Sequence, residues 1–174
     1  LLLGYALGKA QRLLAGIDPG IGPIYTHGAV QKLNEAYRAA GVELPETTYA
    51  GVAERKDWGG CLIVAPPGAQ GTPWVRRFGD VSDGIASGWM TLRGTRRRRA
   101  ADRGFVLSDH VDWPSLLEAI AATGAERVLV THGYTAQVVR YLRAQGLDAA
   151  ELETAYVGEA ADGSGDPDWE APAA

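Results

Sequence analysis

Two short apolar runs, each followed by a histidine and separated by a segment with helical spacing, constrain this chain more than any other feature. The first leads into Leu107-Ser108-Asp109-His110-Val111-Asp112-Trp113, and the second is Val128-Leu129-Val130-Thr131-His132-Gly133-Tyr134. Between them Pro114 opens an amphipathic stretch from Ser115 to Thr123. The order strand, His, helix, strand, His, helix is that of a parallel βαβ unit, and ligands in open α/β sheets gather beyond the carboxyl ends of the strands. His110 and His132 are therefore expected on one rim of one sheet. A histidine there can move a proton, hold a metal or contact a phosphate, and Asp109 and Asp112 flank His110 as orienting partners. The plainer alternative is that His110 caps or precedes the helix and His132 is a polar strand end.

The rest of the chain extends the same α/β pattern. Tyr5 to Ala15 has helical spacing and ends at Gly16, with Asp18-Pro19-Gly20 as a turn. Ile24 to Thr26 reads as a short strand and Ala29 to Ala40 as an amphipathic helix closed by Gly41. Gly60 to Ala65 is a buried strand that Pro66-Pro67-Gly68 breaks. Alternation suggests strands around Ser87 to Leu92 and Gly104 to Leu107, and Gln137 to Ala144 a last helix facing the sheet with Val138, Val139 and Leu142. Trp74, Trp89 and Trp113 are expected in the core.

Composition bounds the class. With 46% hydrophobic and 22% charged residues among 174, the chain can bury one core, or one small domain and part of another. A single cysteine, Cys61, supports neither a disulfide framework nor a cysteine metal site, so a reducing cytoplasm is the expected setting. No run approaches the roughly 20 apolar residues of a membrane span. The net charge of −4 conceals an asymmetry: all 17 Lys and Arg precede Glu151, whereas seven of the 21 acids lie from Glu151 onward. Within the basic body Arg93, Arg96, Arg97, Arg98, Arg99 and Arg103 crowd together. Such a cluster either lines a phosphate track or forms a solvated loop.

Ser108-Asp109-His110-Val111-Asp112 followed by Thr131-His132-Gly133 resembles the last two motifs of the β-CASP nucleases of the metallo-β-lactamase superfamily. Tyr5-Ala6-Leu7-Gly8-Lys9-Ala10-Gln11-Arg12 is similar to the segment where the β-CASP domain of that family begins, and Ala65-Pro66-Pro67-Gly68 to its later strand and turn. Asp109 and Tyr134 bring the chain nearest to the bacterial branch of ligase-associated DNA exonucleases; the RNA-processing branches usually differ at both places. The likeness runs from about Leu1 to about Thr154.

The resemblance implies a fold, a reaction and roles. Residues 1–103 would form part of a β-CASP α/β domain, 104–154 the carboxyl-terminal βαβα return of a metallo-β-lactamase domain, and 155–174 an acidic flexible tail. The activity would be metal-dependent hydrolysis of DNA phosphodiesters in repair, beside a DNA ligase. His132 would ligate one of two divalent ions, zinc by the habit of the family, while His110 and Asp109 would be the catalytic residues, His110 serving the scissile phosphate or the leaving group. Lys9, Arg12, His27, Arg96, Arg97 and Arg98 would contact the substrate, His27 also being placed to enter a helix. The His-x-His-x-Asp-His signature that supplies most metal ligands is absent among three histidines, so the chain is expected to be the carboxyl-terminal part of a longer enzyme and inactive alone. The alternatives are an RNA-processing nuclease of the same fold and a non-catalytic nucleic-acid-binding module using the arginine cluster.

Overall fold

The computed structural model describes residues 1–91, 101–131 and 133–153 of an α/β protein. The chain divides into two compact units, one covering residues 1–109 and the other beginning at His110.

The first unit contains β1 (Leu2–Leu3), α1 (Lys9–Ala15), β2 (Ile24–Thr26), α2 (Gly28–Ala39), β3 (Thr48–Tyr49), β4 (Leu62–Ala65), α3 (Pro73–Arg76), β5 (Gly84–Ala86) and β6 (Arg103–Phe105). Its six strands are all parallel, in the order β3-β2-β4-β1-β5-β6. A parallel sheet must be apolar on both faces, and β4 shows how the sequence meets that demand. Ile63 and Ala65 point to one side and Val64 to the other, where it packs with Ala10 and Leu14 of α1, Ile24 and Val30. On the opposite face Leu3, Ala65 and Ile85 pack with Val75 of α3 and Met90.

Local chemistry sets the helix boundaries. The expected helix from Tyr5 begins only at Lys9, because Gly8 adopts φ +78° and interrupts the chain before it. The Gln11 side chain then accepts a 2.8 Å bond from the Gly8 N–H. Asp18 caps a 3-10 turn over Pro19–Ile21 by accepting from the Gly20 N–H, as a turn there requires. Between α1 and α2 lies a buried polar network: Gln11 donates to Asn34, Asn34 to Thr47, and Thr47 and Thr26 both to Gln31. Every member finds a partner, which makes burial of Asn34 and Thr26 at 0% exposure tolerable.

The second unit contains α4 (Trp113–Thr123), β7 (Arg127–Val130), α5 (Thr135–Ala144) and β8 (Asp148–Glu151). Its two strands pair parallel. Val139 and Leu142 of α5 bury against Ala149, with Leu117 and Ile120 of α4 partly buried beside them. Asp112 caps α4, accepting a 2.8 Å bond from the Ser115 N–H, and Gly124 closes the helix in the left-handed conformation.

Several expectations change. The two apolar runs before His110 and His132 do not share a sheet: β6 pairs with β5, whereas β7 pairs with β8. The βαβ unit that forms in the second unit is β7-α5-β8. Backbone pairing joins Arg103–Phe105 to the sheet of the first unit. Ser87 to Leu92 is not a strand. The strand lies earlier, at Gly84–Ala86, and Gly88–Thr91 is a 3-10 turn closed by a bond from the Met90 N–H to the Ser87 carbonyl. Trp74 is partly buried in the core as expected, but Trp89 and Trp113 are 51% and 42% exposed.

Candidate functional site

Parallel pairing brings the carboxyl ends of all six strands of the first unit to one edge, where ligands of such sheets collect. The chain leaves β1 through Gly4 and Tyr5, β2 through His27, β4 through Pro66, β5 through Ser87, and β6 through residues 106–109. Four of the residues singled out from the sequence lie at this edge: Lys9, Arg12, His27 and Asp109.

Lys9 is the unusual one. It sits in the first turn of α1, is 2% exposed, and runs its stem beside Gly4. A Cβ at Gly4 would come within 3.3 Å of Lys9 Cγ and 3.0 Å of Leu13 Cδ1, so a residue without a side chain makes room for the lysine. Lys9 Nζ lies 3.6 Å from Asp109 Oδ2 and 4.9 Å from the centre of the Tyr5 ring. One turn further along α1, Arg12 Nη1 donates to the Ser108 carbonyl at 2.7 Å and lies 3.9 Å from Asp109 Oδ1. Two cations from one helix thus hold the irregular segment that ends the first unit. That segment is also packed against the end of β5, since a Cβ at Gly88 would meet Ser108 Cβ at 3.1 Å.

His27 has a structural task. Its Nδ1 accepts from the Ala29 N–H at 3.2 Å, capping α2, and its ring meets Trp74 edge-on at 4.7 Å. At 6% exposure it offers little surface to a substrate. The aromatic contacts continue through Trp74 to Phe78, and Arg77 lies 4.9 Å from both rings.

In the second unit His110 precedes α4, and Asp112, a possible partner for it from sequence, is committed to the Ser115 N–H. That bond holds the Asp112 carboxyl below its ordinary value. Burial raises the Tyr25 phenol and the Cys61 thiol, neither of which lies in a position to act as a nucleophile by a lowered pKa. His132 and the arginines Arg96, Arg97 and Arg98 lie outside the described residues. Among the described residues no three of His, Cys, Asp and Glu cluster closely enough to hold a metal ion, so these residues alone do not fit a two-metal centre.

Beside α1 an apolar groove of about 570 Å³ opens over the sheet face, lined by Leu2, Leu13, Ile17, Leu62, Phe105 and Leu107, with Arg12 and Arg103 also among its walls. Sequence reading did not find Tyr5 or Gly4 as parts of the Lys9 setting; the only signal was their proximity to Lys9 in sequence. No helix among the described residues is long and apolar enough to cross a membrane.

No family profile matches the chain, and no solved structure matches it. A protein of Opitutus terrae (strain DSM 11246 / JCM 15787 / PB90-1) named "Probable DNA ligase" is 32% identical over 148 residues. The match covers 85% of this chain but 14% of that protein, so the chain spans a small part of its relative's length and resembles one segment of a protein named for a DNA-joining enzyme.

Proposed function

We propose that this chain is part of a nuclease that hydrolyses DNA phosphodiesters and works beside, or joined to, a DNA ligase. The observation that carries the reading is the meeting of Lys9 and Arg12 with Ser108 and Asp109 at the carboxyl edge of a parallel sheet, immediately before His110. A cationic edge of this kind suits a phosphate, and the residue that follows it is able to donate or accept a proton. The similarity to a segment of a probable DNA ligase supports DNA as the polymer and a ligase as the working partner. The two motifs of the β-CASP resemblance support hydrolysis as the reaction.

Under this reading Lys9 and Arg12 supply the positive field, and Arg12 fixes the backbone at Ser108. His110 donates a proton to the departing oxygen or hydrogen-bonds to the phosphate. His132 would hold one ion of a two-ion centre. Zinc or a similar divalent ion would supply charge neutralisation and an activated water when bound.

The test is a cleavage assay on the gene product that contains this chain, with end-labelled DNA and RNA of one sequence and added Zn²⁺ or Mn²⁺. DNA should be degraded in preference to RNA, and His110→Ala should slow cleavage by roughly 10²–10⁴, the usual contribution of a general acid. Degradation of RNA alone would favour an RNA-processing nuclease, and no metal-stimulated cleavage of either polymer would overturn the reading.

A further inference from the structure

We infer that Asp109 is a displaceable counter-ion seated over a phosphate-binding site formed by Lys9 and Arg12. This differs from the catalytic role that the motif suggests for Asp109. The inference rests on the proposed nuclease reading only for the identity of the anion as a backbone phosphate.

The argument starts from Lys9. An ammonium with a side chain only 3% exposed has given up most of its hydration, and such a charge needs a close, hydrogen-bonded partner. A charge-assisted N–H···O bond spans about 2.7–2.9 Å. Asp109 stands off at 3.6 Å from Lys9 and 3.9 Å from Arg12, too far to hydrogen-bond either. The ammonium also lies over the face of Tyr5, 4.9 Å from the ring centre. Lys9 therefore has its charge balanced by a carboxylate that stands beyond hydrogen-bonding distance.

The carboxylate is also the more mobile partner in chemical terms. Asp109 is about one-third exposed, lies in an irregular segment and reaches the cations only through its side chain. The backbone beside it is held separately, by the 2.7 Å bond from Arg12 Nη1 to the Ser108 carbonyl. Asp109 can turn into solvent without releasing that segment. The trio carries two positive charges and one negative, so it attracts an anion even with the carboxylate in place. A phosphate has several oxygens with which to meet the ammonium and the remaining guanidinium donors together, which one carboxylate at these distances does not do. Asp109 then keeps the buried lysine neutralised in the empty site and yields to phosphate when it arrives.

Binding measurements on this chain test the idea without reference to cleavage. Inorganic phosphate and a 5′-phosphorylated oligothymidylate are titrated at low ionic strength, with circular dichroism confirming the fold of each variant. Asp109→Asn should tighten phosphate binding about fivefold or more, because it removes a like charge from the site. Lys9→Met in that background should abolish the gain, and Arg12→Gln should reduce it if Lys9→Met fails to fold. Asp109→Ser serves in the same way if the asparagine variant is unstable. Equal or weaker phosphate binding by a folded Asp109 variant would overturn the inference, as would undisturbed binding without Lys9. A gain seen with the oligonucleotide and with inorganic phosphate alike assigns the site to the phosphate group; a gain confined to the oligonucleotide assigns it to the polymer backbone. If phosphate binds as described but the gene product that contains this chain cleaves nothing, the nuclease reading fails and the anion site stands.

Discussion

At the residue scale, buried polar groups make the strongest demands. Asn34 is fully buried and serves both Gln11 and Thr47. Asn34→Ala would leave those groups unpaired around a small cavity, and denaturant unfolding should show a loss of about 2–4 kcal/mol. Asp112 gives a pH effect whose sign follows from its cap. Its carboxyl is lowered from the ordinary 3.8 by the Ser115 N–H, so the folded protein prefers the ionised form more than the unfolded chain does. The cap therefore contributes fully above that ordinary value and is lost as pH falls through the lower folded value. An NMR titration of the Asp112 carboxyl should show a midpoint below 3.8, and a midpoint above it would contradict the cap. Sequence alone singled out Asp109 and Lys9 but did not join them. They lie at opposite ends of the first unit, and only the central position of β1, next to both β4 and β5, brings the two termini of that unit together.

At the element scale, legibility followed length. Helix α2 and strand β2 were readable within a residue, since twelve residues of helical spacing or a β-prone Ile-Tyr-Thr triplet after Pro23 leave few alternatives. Strands β1, β3 and β8 were not anticipated. Two residues carry no period, and Asp148–Glu151 has neither β-branched residues nor strict alternation, so tertiary pairing overrides propensity there. Leu3 nevertheless sits at the middle of the sheet with no exposure. Leu3→Ala should cost about 2–5 kcal/mol, measured by thermal or denaturant unfolding, with a loss below 1 kcal/mol arguing against its central place. The reading of Ser87 to Leu92 as a strand failed because alternation of apolar residues also describes a tight turn, in which Ser87 accepts from the Met90 N–H.

At the scale of the whole molecule, the two units are unequal. The first buries apolar residues on both faces of its sheet, whereas in the second none of the residues of α4 is fully buried and Val111, Leu129 and Tyr134 are more than 45% exposed. An exposed apolar strand with an open edge is a hazard for aggregation. Leu129→Lys, on the outward face of β7, should leave stability within about 0.5 kcal/mol and reduce light scattering on storage. The α/β class was plain from the alternation of short apolar runs with helical segments. The assignment of each run to its sheet was not, because a parallel strand carries no mark of its neighbour. The claim at the centre of the account is that this chain contributes to cleaving DNA through a histidine after β7. Its most direct test compares His132→Ala with the unaltered gene product for DNA binding and for metal-stimulated cleavage. The account predicts that binding persists while cleavage is lost; cleavage that survives the loss of His132 would contradict it.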